Sequence, residues 1–160
     1  MTTLETLDWL QNTPVAHAIS KSNHLVGAAL QVAHVLGFLL LLAALLLGVL
    51  RVLGLAFGRA PAAPLLKPLR PLLWLGLAAA AASGALMFVS APALYFYKPV
   101  FLYKLGLLLL AAAVQGLLFQ PLAARVEAGR PAGALARGVA LLSLGLWLAV
   151  AAAGRAIGFV

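Results

Sequence analysis

The sequence predicts an all-α, polytopic membrane protein, in which a four-transmembrane-helix bundle follows a short N-terminal interfacial amphipathic helix. Of the 160 residues, 65% are hydrophobic and only 9% are charged, and the mean hydropathy is +1.11. A soluble domain carries roughly 25% charged residues, and a chain of this size cannot bury so much apolar surface in one globule. The excess apolar surface is therefore expected to face the lipid bilayer, which is the first predicted partner.

Four apolar runs are long enough to cross a bilayer, because about 20 apolar residues span its hydrocarbon core. Prolines and basic residues separate these runs, and Pro92 and Pro121 are expected to end the second and third of them. The connections are too short to hold a second folded unit, so residues 1–160 are predicted to form a single transmembrane domain. The predicted spans cover about 25–50, 72–91, 100–120 and 138–157, after an interfacial segment at 1–23.

The interfacial segment contains two predicted helix starts. Thr2 and Glu5 have the spacing of a capping box, which opens a first short helix. Thr13 followed by Pro14 is typical of the start of a second one. Trp9 lies between the two starts, and tryptophan is enriched at the headgroup level of membranes, so we expect it to anchor the segment there.

The basic residues predict the orientation of the chain. Eleven Lys and Arg residues against three acids give a formal charge of +8. They lie between apolar runs and not on one interleaved face, so no nucleic-acid partner is predicted. Seven of them lie in the first and third connections and four on the other side. The positive-inside rule then places both termini outside the cell interior. We expect the protein in a bacterial inner (plasma) membrane, with both termini in the periplasm.

The polar residues of the spans favour one half of the bundle. In the first span His24, Gln31 and His34 fall within an arc of about 80°, since a helix turns about 100° per residue. Polar groups are costly in hydrocarbon, so this face is expected to look into the bundle. Met87 and Lys104 lie in the outer halves of their spans, that is, in the halves nearer the membrane side on which both termini are expected. The sequence therefore predicts a polar pocket in the outer half, with His34 pointing into it.

A pocket centred on His34 predicts binding of haem b or a metal ion for electron transfer or metal handling, because histidine is the commonest metal ligand and a frequent ligand of haem iron. Lys104 and Arg155 are candidates to neutralise haem propionates, and His34 with Met87 is a soft pair suited to Cu(I). His24 lies ten residues from His34, about 15 Å along one helix, and cannot flank the same iron. The candidate cofactor-binding residues are His34, Lys104, Arg155 and Gln31, and the candidate metal ligands are His34, Met87, His24 and His17.

Other functions fit the same features. Small residues on the second span, Gly76 and Ser83 among them, suit close helix packing. The chain is therefore also a candidate for a non-catalytic accessory or assembly subunit, within a homo-oligomer or a larger membrane complex. Transport of a small solute and binding of a quinone at the polar face are further hypotheses. The cofactor stays open among haem b, copper and none.

Hydrolytic or nucleophilic catalysis is not predicted. The chain has no Cys, and its only acids, Glu5, Asp8 and Glu127, lie outside the spans. Neither a Ser-His-Asp site nor a pair of carboxylates is therefore expected within the bundle. Any redox activity would have to come from a bound cofactor.

Several short sequence motifs follow one another, with characteristic order and spacing, along about two thirds of the chain. They are Trp9-Leu10, Thr13-Pro14, His34-Val35-Leu36-Gly37, Leu50-Arg51-Val52-Leu53-Gly54, Trp74 with Gly76, Ser83-Gly84, Met87-Phe88, and Pro99-Val100-Phe101 with Lys104. Through them the chain resembles a family of small four-helix bacterial inner-membrane proteins of unknown function. The resemblance implies the fold and carries over His34, Arg51 and Lys104 as polar landmarks.

The chain departs from that family at two positions. Members often carry an acid where this chain has Gln31, and another where it has Val49. If those acids conduct protons or bind a cation in the family, this chain lacks the carboxylates needed for that activity. A looser resemblance, carried by Phe101 three residues before Lys104 on an apolar run, is to the copper-resistance D family of membrane proteins.

Overall fold

The structure is a computed structural model, and it describes residues 2–22, 24–57 and 61–159. Within these ranges every regular element is helical, and four helices are long and apolar enough to cross a membrane. The predicted fold class is confirmed: the chain is a multi-pass, all-α membrane protein. The elements are α1 (Thr3–Gln11), α2 (Pro14–Ser20), α3 (His24–Leu53), α4 (Ala62–Ser90), α5 (Pro92–Phe96), α6 (Pro99–Ala113), a π-helical turn (Val114–Phe119), α7 (Gln120–Glu127) and α8 (Ala134–Ala156).

The first two helices are short, and each begins at the cap that the sequence predicts. At the start of α1 the Thr2 backbone N–H donates to Glu5 Oε2 at 2.8 Å, and the Glu5 N–H donates to Thr2 Oγ1 at 3.3 Å. At the start of α2 the Ala16 N–H donates to Thr13 Oγ1 at 3.3 Å. Both predicted helix starts are confirmed. α1 packs on α5 and α2 packs on α4, so this segment lies against one end of the bundle.

The long helices α3 and α4 form the most extensive helix pair. Their backbones are in contact near their midpoints, at Gly37 and Gly76. A Cβ on Gly76 would lie 2.6 Å from the Gly37 carbonyl oxygen and 2.6 Å from the Leu41 backbone nitrogen. No side chain fits between the two backbones, so glycine is required for this close approach. We call this crossing, defined by Gly37 and Gly76, the waist of the bundle.

The second helix pair consists of α8 and α6, which continues through the π-helical turn into α7. Lys104 lies against α8, with Nζ 3.4 Å from the position of a Cβ on Gly154. Ser143 Oγ donates to Gln115 Oε1 at 2.6 Å. Eleven residues separate the two contacts on each helix, so the helices run antiparallel in constant register. Contacts between α3 and α8 join the two pairs.

Helix α4 is longer than the span that hydropathy predicts. It begins at Ala62, ten residues before the predicted span, and contains Pro68 and Pro71. Proline disfavours a helix interior, but tertiary packing of an apolar face supplies most helical stability in proteins. Here Ala62 and Leu66 are buried against Val126 of α7. This contact explains why the helix continues through its prolines.

The third long helix continues past Pro121, where the sequence predicts its end. The preceding turn, Val114–Phe119, is π-helical, and Pro121 lies in the first turn of α7. In a regular α-helix the proline ring collides with the carbonyl four residues back. A π-helical turn widens the backbone at this point, which makes room for the ring and lets the helix run on to Glu127.

The bundle has two unlike halves. We call the half in which α3 begins and α8 ends the terminal half, and the opposite half the distal half. In the distal half, Leu45 and Ala140 are fully buried in the main core. The Arg70 guanidinium ties α4 to α7, because it donates to Gln120 Oε1 at 3.1 Å and to Glu127 Oε2 at 3.3 Å.

Candidate functional site

A cavity of about 520 Å³ lies in the terminal half of the bundle. Small-molecule sites in proteins typically occupy about 300–1,000 Å³, so the cavity is large enough for an organic ligand or cofactor. All four long helices contribute to its wall, together with α5. The polar residues that line it are Gln31, His34, Tyr95, Lys98, Lys104 and Arg155.

His34 is held in the cavity wall by a hydrogen bond to the neighbouring helix. Its Nδ1 lies 2.7 Å from the Ala80 carbonyl oxygen and 3.4 Å from Ser83 Oγ. Because a carbonyl oxygen can only accept, Nδ1 carries the hydrogen, and the lone pair of the neutral ring is on Nε2. Within the part of the chain that the structure describes, Nε2 has no hydrogen-bond partner. The imidazole thus joins two helices through one nitrogen and keeps the other available to a ligand.

The ring of His34 lies against small residues of α4. A Cβ on Gly84 would be 3.0 Å from His34 Cε1 and 3.2 Å from His34 Nδ1, so Gly84 provides the space for the ring. Ser83 is buried beside it, and its hydroxyl donates to the Ala79 carbonyl at 2.6 Å. The small-residue face of this helix therefore accommodates the histidine side chain as well as the backbone of α3.

Three cations line the cavity, and they differ in their contacts. Lys98 Nζ donates to the Ile157 carbonyl oxygen, just past the end of α8, at 3.0 Å. The Arg155 guanidinium is exposed and lies over the Phe159 ring, 4.5 Å from its centroid. Both side chains therefore hold together the terminal end of α8, at the rim of the cavity.

The third cation, Lys104, is half-buried, with its Nζ beside Gly154 of α8. Among residues 2–22, 24–57 and 61–159, it has neither a hydrogen bond nor an ion pair. None of the described residues that line the cavity is acidic, so the potential inside it is positive. A ligand that combines an apolar body with an anionic group complements such a site.

The structure brings together five of the seven residues that the sequence singles out. Those that line the cavity are Gln31, His34, Met87, Lys104 and Arg155. His17 and His24 are exposed and lie outside it. His24 is the first residue of α3, and ten residues of helix place it about 15 Å from His34 along the axis.

The described residues of the cavity do not provide a full set of protein ligands for a bare metal ion. The described residues contain no group of three or more metal-ligating His, Asp or Glu side chains, and the chain has no cysteine. Protein metal sites usually take three or four protein ligands, whereas His34 and Met87 are the strongest donors here. Haem brings its own equatorial nitrogens and needs only one or two axial ligands from the protein.

Sequence reasoning did not single out Tyr95, Lys98 and Phe38 for the site. Tyr95 and Lys98 belong to the short segment between α4 and α6, and only the fold brings that segment over the cavity. Phe38 follows His34 by four residues and shares its helix face, which was the available signal. Its ring lies 6.1 Å from the Trp147 ring, centroid to centroid, and separates the cavity from the core.

Comparisons with known proteins do not add an assignment. A scan against protein-family models found no match, and searches of curated proteins and of solved structures found no similar protein.

Proposed function

We propose that this protein binds one haem b in the cavity of the terminal half, with His34 as an axial ligand of the iron. The observation that carries the proposal is the His34 imidazole itself, whose Nδ1–H is bound to the Ala80 carbonyl at 2.7 Å. Metal-ligating histidines almost always donate their second ring N–H to a carbonyl or carboxylate, which fixes the tautomer and the ring orientation. His34 Nε2 thus carries the lone pair that iron requires.

The rest of the cavity complements the haem group. Apolar side chains such as Val35, Phe38 and Val150 line it and suit the macrocycle. The haem propionates are carboxylates, and charge-assisted hydrogen bonds to a lysine ammonium are strong. Lys104 is the expected partner of one propionate because no other described residue is paired with it. Arg155 lies near the rim and is the expected partner of the other.

Met87 is the candidate for the second axial position. It lines the same cavity from α4, and His/Met ligation of haem occurs in electron-transfer proteins. Held by His34 and Met87, haem would supply one-electron redox chemistry and would leave no iron position open to a substrate. We therefore propose electron transfer as the activity, at the membrane face on which the chain termini lie.

The first test is the spectrum and metal content of the full-length protein, purified in detergent from cells grown with sufficient iron and copper. We expect a Soret band, a b-type pyridine haemochrome and iron near one atom per chain. His34→Ala should lose the haem, because it removes the axial ligand. His24→Ala is the matched control, since His24 lies on the same helix but outside the cavity, and it should retain the haem.

Three results would overturn the proposal. Wild-type protein without iron or copper above background would instead favour a non-catalytic accessory subunit. Copper near one atom per chain, without haem absorbance, would favour a Cu(I) site at His34 and Met87. A His34→Ala protein that keeps its full haem content would show that the iron ligand lies elsewhere.

A further inference from the structure

The cavity extends beyond the interior of the bundle and around one side of α3. Its wall includes His34 and also Val35 and Leu39 of the same helix. Leu39 follows His34 by five residues, so the two side chains point about 140° apart around the helix axis. Val35 and Leu39 are 49% and 54% exposed. A cavity bordered by both His34 and Leu39 must therefore open on the flank of α3.

The flank that opens is the one facing α8. Phe38 lies between His34 and Leu39 in sequence, and its ring contacts Trp147 of α8. The opposite flank of α3 carries Gly37, which is in backbone contact with α4. In the distal half Leu45 of α3 is completely buried in the main core, which also contains Ala140 of α8. The opening is thus a gap between α3 and α8 that is confined to the terminal half.

The gap lies at a depth where acyl chains surround the protein. Val35 and Leu39 are 11 and 15 residues from the start of α3 at His24, or about 16 and 22 Å along its axis. No residue from 25 to 50 is charged. At this depth the α3 side of the gap is formed by the apolar Val35 and Leu39, with the exposed Gln31 one turn nearer the start of α3, whereas Lys104 lies against Gly154 of α8. An amphipathic molecule would meet apolar side chains first and a cation afterwards.

We propose that the gap between α3 and α8 is a lateral opening through which the ligand passes between the lipid layer and the cavity. The inference rests on the proposed function, in which the ligand is haem b, an apolar macrocycle with anionic propionates. The ligand class that fits the opening is a membrane-dissolved amphipathic anion. Passage through the apolar gap leaves its charged edge at Lys104 and its apolar body toward the lipid.

The experiment measures the rate at which haemin binds to apo-protein in phosphatidylcholine nanodiscs, when the haemin is supplied in phosphatidylcholine vesicles. The double variant Val35→Trp/Leu39→Trp narrows the gap. Val32→Trp/Leu36→Trp is its matched control, because both residues are exposed on α3 and do not line the cavity. We expect the first variant to slow both association and dissociation of haemin by about tenfold, whereas an affinity lost through faster dissociation alone would contradict a narrowed passage. The control should match the wild type.

Rates for the gap variant that equal those of its control would overturn the lateral opening but leave the haem site standing. Wild-type protein that binds no haemin would overturn both. If the tryptophans also abolish binding at equilibrium, spin labels decide the question, since the chain has no native cysteine. Haemin should lower the oxygen accessibility of a label at Leu39→Cys and leave a label at Leu36→Cys unchanged. An equal response at the two positions would overturn the opening.

Discussion

The two halves of this bundle are formed by the same four long helices, yet one is filled and the other holds a cavity. In the distal half, Leu45 and Ala140 are completely buried, and Arg70 bridges α4 and α7. In the terminal half the helices line an open cavity of about 520 Å³. The waist, where α3 and α4 touch, divides the two.

The difference shows that small residues serve two purposes in the same helix bundle. At Gly76 the absence of a side chain lets two backbones meet. At Gly84 and Gly154, by contrast, it makes room for the side chains of His34 and Lys104 beside the cavity. Small residues thus tighten the bundle where helices cross and open it where they stay apart.

The largest effect is expected at the waist. Gly76→Ala would place a Cβ 2.6 Å from the Gly37 carbonyl oxygen, so α3 and α4 would have to separate. We expect the free energy of unfolding to fall by about 3 kcal/mol, the upper part of the range for overpacked sites. Unfolding by SDS in mixed micelles, followed by circular dichroism, measures it. Gly145→Ala is the control, because apart from its chain neighbours and its own helix backbone no described atom lies within 4 Å of the added Cβ. Equal stability of the two variants would contradict the backbone contact.

A smaller loss is expected in the distal half from Ser143→Ala. It removes the hydrogen bond to Gln115 Oε1, and Gln115 Nε2 is already without a partner among the described residues. A buried amide left unpaired costs about 2 kcal/mol, which the same unfolding experiment should detect. Haem content should not change, because neither residue lines the cavity. In Ser143→Ala/Gln115→Leu the stability should largely return, and failure of that rescue would argue against a purely structural pair.

In the terminal half, Gly84→Ala should weaken the site with little effect on stability. The added Cβ would lie 3.0 Å from His34 Cε1, so the ring must shift and its hydrogen bond to Ala80 must lengthen. We expect about a tenfold loss of haem affinity, the lower end of what mutation of a supporting partner costs a metal ligand. Titration with haemin measures it, and Gly106→Ala, with open space around its Cβ, serves as the control. Unchanged haemin affinity would show that haem binding does not depend on the position of the His34 ring.

The smallest effect is expected from Lys104→Gln. A half-exposed ion pair contributes about 1 kcal/mol or less, so haemin affinity should fall by up to about fivefold. The dimethyl ester of haemin has no carboxylates, and its affinity should be the same for wild type and variant. Lys67→Gln, at an exposed position in the other half of the bundle, should affect neither ligand. A loss of equal size for both forms of haemin would assign Lys104 a role in packing instead of charge pairing.

Prolines mark the limit of what local sequence rules predict in this chain. Pro68, Pro71 and Pro121 all lie within helices, although each favours a break when the neighbouring residues are considered alone. Burial of Leu66 against Val126 and the π-helical turn at Val114–Phe119 outweigh that preference. Neither is visible in a local pattern, because the first is a contact between distant segments and the second depends on the packing around it.

The candidate site was predictable in outline and not in its chemistry. Helical periodicity places Gln31 and His34 on one face, and the cost of polar groups in lipid predicts that this face looks into the bundle. Both residues line the cavity, but only His34 is half-buried, whereas Gln31 is exposed. Helical periodicity does not indicate that His34 Nδ1 donates to the Ala80 carbonyl. Every residue of α4 carries a carbonyl, and only the way in which α3 and α4 cross determines which one lies beside the ring. The role of Lys98 and Tyr95 at the cavity depends in the same way on where the segment after α4 folds.

The sequence by itself determined the fold class, the helical caps at Thr2 and Thr13, and the half of the bundle in which the polar side chains concentrate. These follow from hydropathy and from interactions within a few residues, which do not depend on the rest of the chain. Only the tertiary structure decided the tautomer of His34, the unpaired state of Lys104 among the described residues, and the extension of the cavity to Val35 and Leu39 of α3. Each of these depends on the distance between helices, which is set by how side chains of different size pack across the whole bundle.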